Sequence, residues 1–456
     1  MTDSTLWHWQ EVLKAVGGDE SFTGPDLTGI SIDSRTLQQG DLFVPISNQL
    51  PPPYSGSGGG RDGHDFLADV IEHGGGAALV SKRIAANLPM ITVQDTFQAL
   101  WQLAEYARTR ISKDSLVVAI TGSSGKTTLR AWLEAVLSDQ FQTHASVDSY
   151  NNHLGVPLSL ARMPADSQRG VFEIGSNHPG EIGPLAKLVK PDIAVVVNVL
   201  PVHIGHFQSL LQLSEEKLSI ADGLPADGLL ILHEDLAAPA GVESIGFGFG
   251  DRAQVKINSI EHLPDQRCHL AIQVLGRRVA VDLPVTGRHW ALTASACLAA
   301  VSQAGGDLDQ AAETLSQISV PQGRGNSEII AGVNIIDDSY NANLTSILQA
   351  ISNLESQNDG RRIAILGEML ELGEQSVRSH QTTLNACQGF DRVITVGNQF
   401  RDCQTDIGQD HYQQAQGIDI ERLAKWLRPG DTVLVKGSNA VFWNSGFVSR
   451  LKAVLA

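Results

Sequence analysis

Thr121-Gly122-Ser123-Ser124-Gly125-Lys126-Thr127-Thr128 joins two stretches of opposite character. Before it, Leu116 to Ile120 is an apolar run without alternation, the pattern of a strand buried on both faces of a parallel sheet. After it, Leu129, Trp132, Leu133, Val136 and Leu137 recur at i, i+3, i+4, i+7 and i+8, one apolar face of a helix. A glycine-rich turn between buried strand and amphipathic helix is the setting of a phosphate-binding loop. Its glycines let backbone N–H groups approach phosphate oxygens, and the helix N-terminus adds partial positive charge. In that reading Lys126 reaches the terminal phosphates of ATP and Thr127 ligates Mg2+, with Gly122, Ser123, Ser124, Gly125 and Thr128 around the nucleotide. The general pattern GxxxxGK[ST] requires glycine at 120, where Ile120 stands, so the loop is a shortened G-x-x-G-K-T-T.

Working outward, buried-strand runs recur at Val171 to Ile174 and Ile193 to Val197, continuing a βαβ rhythm. Between about 254 and 283 short, closely spaced β-like runs suggest an antiparallel patch, and a helix containing Trp290 to Val301 closes this region. Upstream, Ile30-Ser31-Ile32 and Leu42 to Ile46 read as strands, and Pro51 to Gly60 as a mobile surface loop. A helix through Phe97, Leu100, Trp101, Leu103 and Ala104 is expected to be capped by Asp95 or Thr96. Downstream of Pro321-Gln322-Gly323, strands at Ile335-Ile336, Ile363 to Leu366, Val393 to Val396 and Val433 to Val435 alternate with helical patterns. The expected fold class is α/β, with domains at residues 1–95 (mixed α/β), 96–319 (parallel sheet with a small antiparallel patch) and 320–456 (Rossmann-like).

Composition limits the function. The 456 residues include 33 Lys and Arg against 50 Asp and Glu, a net charge of −17. Broad nucleic-acid binding requires a basic footprint and is disfavoured, whereas a phosphorylated small molecule needs only a local cluster of amides and cations. The four cysteines form no CxxC pair, and a reducing compartment is expected. The start lacks a basic stretch followed by an apolar one, and no apolar run approaches the ~20 residues of a membrane span. A cytoplasmic protein without membrane insertion is the expectation.

The shortened TGSSGKTT loop resembles that of the Mur ligases and the related folylpolyglutamate synthetases. The resemblance extends to Phe172-Glu173-Ile174-Gly175-Ser176-Asn177-His178-Pro179-Gly180-Glu181-Ile182, Tyr150 to Pro157, Asp337 to Asn343 and Leu366 to Gly373. It starts at Ser31 to Arg35, Gly40 to Val44 and Asp62 to Phe66, and ends at Val435 to Ser438, nearly the whole chain in order. It implies a domain for the UDP end of a substrate, a central ATPase domain and a C-terminal Rossmann-like domain. The motifs are most similar to the family member whose substrates are UDP-N-acetylmuramoyl-tripeptide and D-alanyl-D-alanine. That implies ATP, two Mg2+ sites, an acyl phosphate intermediate and a role in peptidoglycan synthesis, with a monomer as the expected form.

The resemblance also assigns candidate residues. Glu173 would bind Mg2+ with Thr127, and His203 would be a second metal ligand and catalytic residue, with His206 its rival. Lys217 lies on what ordinarily reads as an exposed, salt-bridged helix face. It falls where several Mur ligases carry a carbamylated lysine, able to support the second Mg2+. Arg324 would meet phosphate at the hinge into the last domain and Asp338 the ribose, or either forms a domain-boundary salt bridge. Asn151 and Asn152 are sugar or peptide contacts, or turn formers. Ser34 and Arg35 are candidates for the uridine diphosphate. Lys436 and Ser438 are candidates for the dipeptide carboxylate, with a plain strand-to-loop lysine as the alternative. Two departures stand out: Gly287 to Thr293 replaces a His-Asn-x-x-Asn stretch used near adenine, leaving stacking by Trp290 as a hypothesis, and Asn439 stands where arginine is frequent.

Overall fold

The computed structural model describes residues 5–48, 50, 54, 61–147, 150–201, 207–263, 267–355, 360–370, 372–404 and 409–456. The Pro51 to Gly60 expectation falls outside these residues, except at Tyr54. Contacts divide the chain into two compact units, residues 1–198 with 215–316, and residues 199–214 with 317–456.

The first unit holds two sheets. Ile30–Ser31, Leu42–Phe43, Ala77–Val80 and Met90–Thr92 form four parallel strands in that order. Both early strands are shorter than their apolar runs. The Ser31 hydroxyl bonds the Asp33 backbone and turns the chain, and Pro45 has no N–H for a ladder. Helix Thr96–Arg110 is capped by Asp95, whose carboxylate accepts from Phe97 N (2.8 Å) and Gln98 N (3.3 Å). Leu100 and Leu103 of this helix pack with Trp7, Val12 and Leu13 over the small sheet.

The second sheet has nine strands. From one edge they run Arg277–Leu283, Cys268–Val274, Val255–His262, Glu243–Gly248, Leu229–His233, Ile193–Val196, Leu116–Thr121, Arg169–Glu173 and Thr143–Ala145. Only the two pairings among the first three are antiparallel, so the expected patch is present at the sheet edge. Leu116–Thr121 lies between strands that follow it on opposite sides, so the chain order reverses at its carboxyl end, where α/β sheets collect their ligands. Side chains tie the two sheets: Trp7 Nε1 donates to Ala161 O (2.8 Å) and Arg162 Nε to Ile30 O (2.7 Å).

In the second unit the order is Asn326–Ile330, Val333–Asp338, Thr432–Lys436, Arg362–Gly367, Arg392–Val396 and Gln409–Tyr412. All pairs are parallel except the first. The four strands expected from sequence form its interior. The two edge strands carry NSEII and QDHY, too polar to stand out from loop.

Candidate active site

The strand Leu116–Thr121 delivers the glycine loop, and helix Lys126–Ser138 leaves it. Gly125 is the N-cap residue at φ +78°, in the left-handed region that favours glycine. At Gly122, φ +151°, an added Cβ would lie 3.1 Å from Val197 Cβ and 3.2 Å from Asn198 N. This crowding comes from Val197 and from Asn198, which follows strand Ile193–Val196 by two residues and braces the loop. Its carbonyl accepts from Ser123 N (3.1 Å), its Oδ1 from Ser124 N (3.0 Å), and its Nδ2 donates to Ser124 O (3.2 Å). Sequence reading did not assign Asn198, which is 74 residues from Ser124; its signal was a polar residue directly after a buried strand. Lys126 Nζ donates to Gly122 O (2.9 Å), and Thr127 and Thr128 are buried.

Glu173 ends the neighbouring strand and is 1% exposed. Its Oε1 accepts from Asn151 Nδ2 (2.6 Å), whereas Oε2 is buried without a protein partner. A buried carboxylate oxygen with no donor calls for a cation, which fits the chemistry of a metal ligand. Asn151 is therefore placed on the carboxylate. Asn152 Oδ1 accepts from Leu154 N (3.1 Å) and Gly155 N (2.9 Å), starting helix Gly155–Ala161, so its side chain serves the turn.

Lys217 lies in the last turn of helix Leu210–Leu218, and its side chain is one of the largest fully buried in the chain, at 2% exposure. The expectation of an exposed helix face is overturned at this position. The ammonium donates to Ser176 Oγ (2.8 Å). Burial, with Lys126 adding repulsion, brings its pKa down to about 7 against the opposing pull of Glu216 and Glu181. Glu216, next in the chain, is also buried, accepting from Gly180 N (2.6 Å), Glu181 N (3.1 Å) and Ile182 N (2.9 Å) at the start of helix Ile182–Val189. Glu181 Oε2 in turn accepts from Asn177 N (2.8 Å) and His178 N (3.2 Å). Two glutamates thus hold the Asn177-His178-Pro179-Gly180 loop, and Ser176 at its root meets Lys217.

His203 and His206 lie outside the described residues. Among the described residues no group of three or more His, Cys, Asp or Glu side chains is arranged to hold a metal ion. Trp290 is 6% exposed and stacks on Trp132 of the phosphate-loop helix (centroids 5.5 Å, 19°), which turns it into core. Thr293 Oγ1 donates to His289 O (3.0 Å) within its own helix. Ser34 is buried, and Arg35 is exposed and paired with Asp33 (2.6 Å).

The second unit carries the other candidates. Lys436 Nζ donates to Asp338 Oδ2 (2.6 Å) and Asn341 O (3.2 Å), with the lysine side chain 3% exposed. Both candidates are thus joined in one part-buried ion pair across adjacent parallel strands. Ser438 Oγ is buried without a partner, and its N–H bonds Glu368 O (3.2 Å). Arg324 lies over the Tyr340 ring at 4.1 Å, and Tyr340 packs edge-on against Trp443.

Family models match residues 120–301, the Mur ligase middle domain, and residues 325–439, the Mur ligase glutamate ligase domain. UDP-N-acetylmuramoyl-tripeptide–D-alanyl-D-alanine ligase of Rickettsia prowazekii is 30% identical over 96% of this chain and 98% of its own. The Escherichia coli ligase of the same name is 31% identical over 91% of this chain and 92% of its own. A crystal structure of MurF from Acinetobacter baumannii superposes with a TM-score of 0.86 at 27% identity, covering 99% of this chain and all of that one. With two matching family models and nearly a third of its residues shared along almost its whole length, the chain belongs to the Mur ligase family.

Proposed function

We propose that this chain is the ATP-dependent ligase that adds D-alanyl-D-alanine to UDP-N-acetylmuramoyl-tripeptide in peptidoglycan precursor synthesis. The observation that carries this reading is end-to-end similarity to ligases of that name, in a chain that has the phosphate loop, Glu173 and Lys217. The protein acts as a cytoplasmic monomer, with its work divided among residues 1–95 for the UDP end, 96–319 for ATP and 320–456 for the second substrate.

An amide does not form between a carboxylate anion and an amine unaided. The tripeptide carboxylate attacks the γ-phosphorus of ATP, the bond to ADP breaks, and an acyl phosphate results. The dipeptide amine then adds to the acyl carbon, loses a proton, and phosphate leaves. Both steps gather negative charge, which preorganised cations and amides offset. Lys126 and the loop amides hold the phosphates, and Arg324 meets phosphate from the last domain. Asp338 positions the ribose or the hinge, with Lys436 fixing its carboxylate. Ser438 offers a free hydroxyl to the dipeptide, whereas Lys436 is committed to Asp338. Ser34 and Arg35 serve the uridine diphosphate, and Asn151 orients Glu173.

Mg2+ at two sites would be held by Thr127 and Glu173, and by His203 with a carbamylated Lys217. Bound there, it would neutralise phosphate charge. The orphaned Glu173 oxygen and the weakly basic Lys217 amine fit that assignment. The test is phosphate release with ATP, UDP-N-acetylmuramoyl-tripeptide and a panel of acceptors. Release that depends on D-alanyl-D-alanine is expected. Release with free amino acids, with folate, or without any acceptor overturns the reading.

A further inference from the structure

His153 follows the Asn151-Asn152 pair and takes no part in the chemistry of the phosphate loop, Glu173 or Lys217. Its ring is buried, 7% exposed, yet Nε2 has no hydrogen-bond partner. Tyr54 stacks on it, with centroids 4.5 Å apart and planes 23° from parallel. Phe97 and Trp101 flank Tyr54 at 5.6 and 6.1 Å, and Trp101 Nε1 donates to His153 O (3.1 Å), fixing the backbone beneath the ring. This aromatic group clusters Leu50, Tyr54 and Phe97 with Ile46, Trp101 and Leu154, and Ile46 and Leu154 join it to the main core of the small sheet.

A buried imidazole nitrogen without a partner forfeits its hydration uncompensated, and native interiors retain few such groups without a use. An apolar ring would fill the space under Tyr54 without that cost. The position is informative: two residues before His153, Asn151 holds the Glu173 carboxylate. Burial has the larger effect on the acidity of Tyr54, His153 and Lys217, but the Glu181 carboxylate also pulls all three pKa values upward. One charge thus lies within electrostatic reach of all three groups. The geometric link to the reacting centre is the chain itself, since His153 is two residues from the side chain that holds Glu173.

We propose that Tyr54 and His153 form a specificity contact for the carboxylate substrate, with the His153 Nε2 hydrogen bond going to a carbonyl oxygen of that substrate. Tyr54 holds the imidazole plane while the site is free, and the incoming chain supplies the partner that the protein withholds. The inference rests on the reading that UDP-N-acetylmuramoyl-tripeptide is that substrate.

Steady-state constants for all three substrates test it in His153→Leu, His153→Gln, Tyr54→Ala and Tyr54→Phe. His153→Leu is expected to raise KM for UDP-N-acetylmuramoyl-tripeptide about tenfold or more, the loss of one buried hydrogen bond. KM for ATP and for the dipeptide, and kcat, should stay within about threefold. His153→Gln, which keeps a donor, should recover part of the loss, Tyr54→Ala should resemble His153→Leu, and Tyr54→Phe, which keeps the stacked ring, should lose less than Tyr54→Ala. Unchanged constants in His153→Leu, or a uniform fall in all constants with a lowered melting temperature, would overturn the proposal. Calorimetric binding of UDP-N-acetylmuramoyl-tripeptide to the unmodified protein without ATP separates the contact from the substrate assignment. No binding defeats the substrate reading itself, whereas binding unaltered by His153→Leu defeats only the contact.

Discussion

Replacing Lys217 by methionine is expected to stabilise the metal-free protein and abolish its activity together. Burial first, then the charge of Lys126, lower the Lys217 pKa from 10.5 to about 7. A shift of that size corresponds to about 5 kcal/mol against the charged form. The folded pKa lies below the unfolded one, so between about pH 7 and 10.5 the unfolded chain binds more protons, and stability rises with pH. Below that window the penalty is complete. Methionine keeps the length and apolar stem but removes the charge, at a loss of about 1 kcal/mol for the bond to Ser176. The net gain is about 4 kcal/mol near pH 6.5, shrinking to about 1 kcal/mol near pH 9. Urea denaturation of both proteins across that range, in buffer stripped of carbon dioxide and divalent cations, reads the difference. Phosphate release should fall by at least about 100-fold, because the neutral amine that would be carbamylated is gone. In Lys217→Ala, a small added carboxylate should restore part of the activity. A methionine variant that is less stable at low pH, or that keeps its turnover, would refute this account of the buried amine.

Three further outcomes follow from the geometry. Glu173→Gln keeps the bond to Asn151 in one amide orientation but removes the unpartnered charge, so Mg2+-dependent nucleotide binding measured by calorimetry should weaken and turnover drop on the order of 100-fold. Lys436→Met strands Asp338 without its buried cation, a loss of about 3–5 kcal/mol in the unfolding of the second unit, while Lys436→Met with Asp338→Leu should lose less than the single change. Trp290→Asn, which installs the carboxamide that the family resemblance implies here, should cost about 3–5 kcal/mol by thermal melting and leave ATP affinity unimproved, because the position faces Trp132.

How much of this was legible in the sequence depended on whether a residue's environment is local. The parallel strands around the loop are buried beyond their first residues, so their apolar runs were plain, and position alone narrowed the cap of the following helix to Asp95 or Thr96, of which Asp95 does the capping. Edge strands such as Asn326–Ile330 and Gln409–Tyr412 are set by backbone pairing to a neighbour, which leaves little trace in side-chain pattern. The loop itself was legible, but its brace was not. Asn198 reaches Ser123 and Ser124 only because Ile193–Val196 pairs beside Leu116–Thr121, a fact of sheet order.

Lys217 marks the boundary most sharply. In Leu213-Ser214-Glu215-Glu216-Lys217 the charges read as a solvated helix face, and the local rule is right for the exposed Glu215. It fails at the next two positions because Glu216 is drawn into the start of helix Ile182–Val189, where three backbone N–H groups receive it. That docking carries Lys217 inward with it, onto Ser176 and within reach of Lys126. The unusual amine is thus a consequence of an ordinary helix cap one residue away. Only the fold can state that relation, although family resemblance could name the residue. It follows that Glu216→Gln, which keeps the acceptor oxygen but weakens its hold on the helix start, should loosen Lys217 and move its pKa back toward 10.5. Two effects oppose each other, since Glu216 itself also raises the lysine pKa. Burial is the larger of them, so the net movement measures whether Glu216 acts mainly as a charge or mainly as an anchor. NMR titration of the Lys217 amine in that variant decides it. A rise means that the anchor dominates. A further fall means that the charge does, and that Lys217 is not held in the interior by the cap beside it.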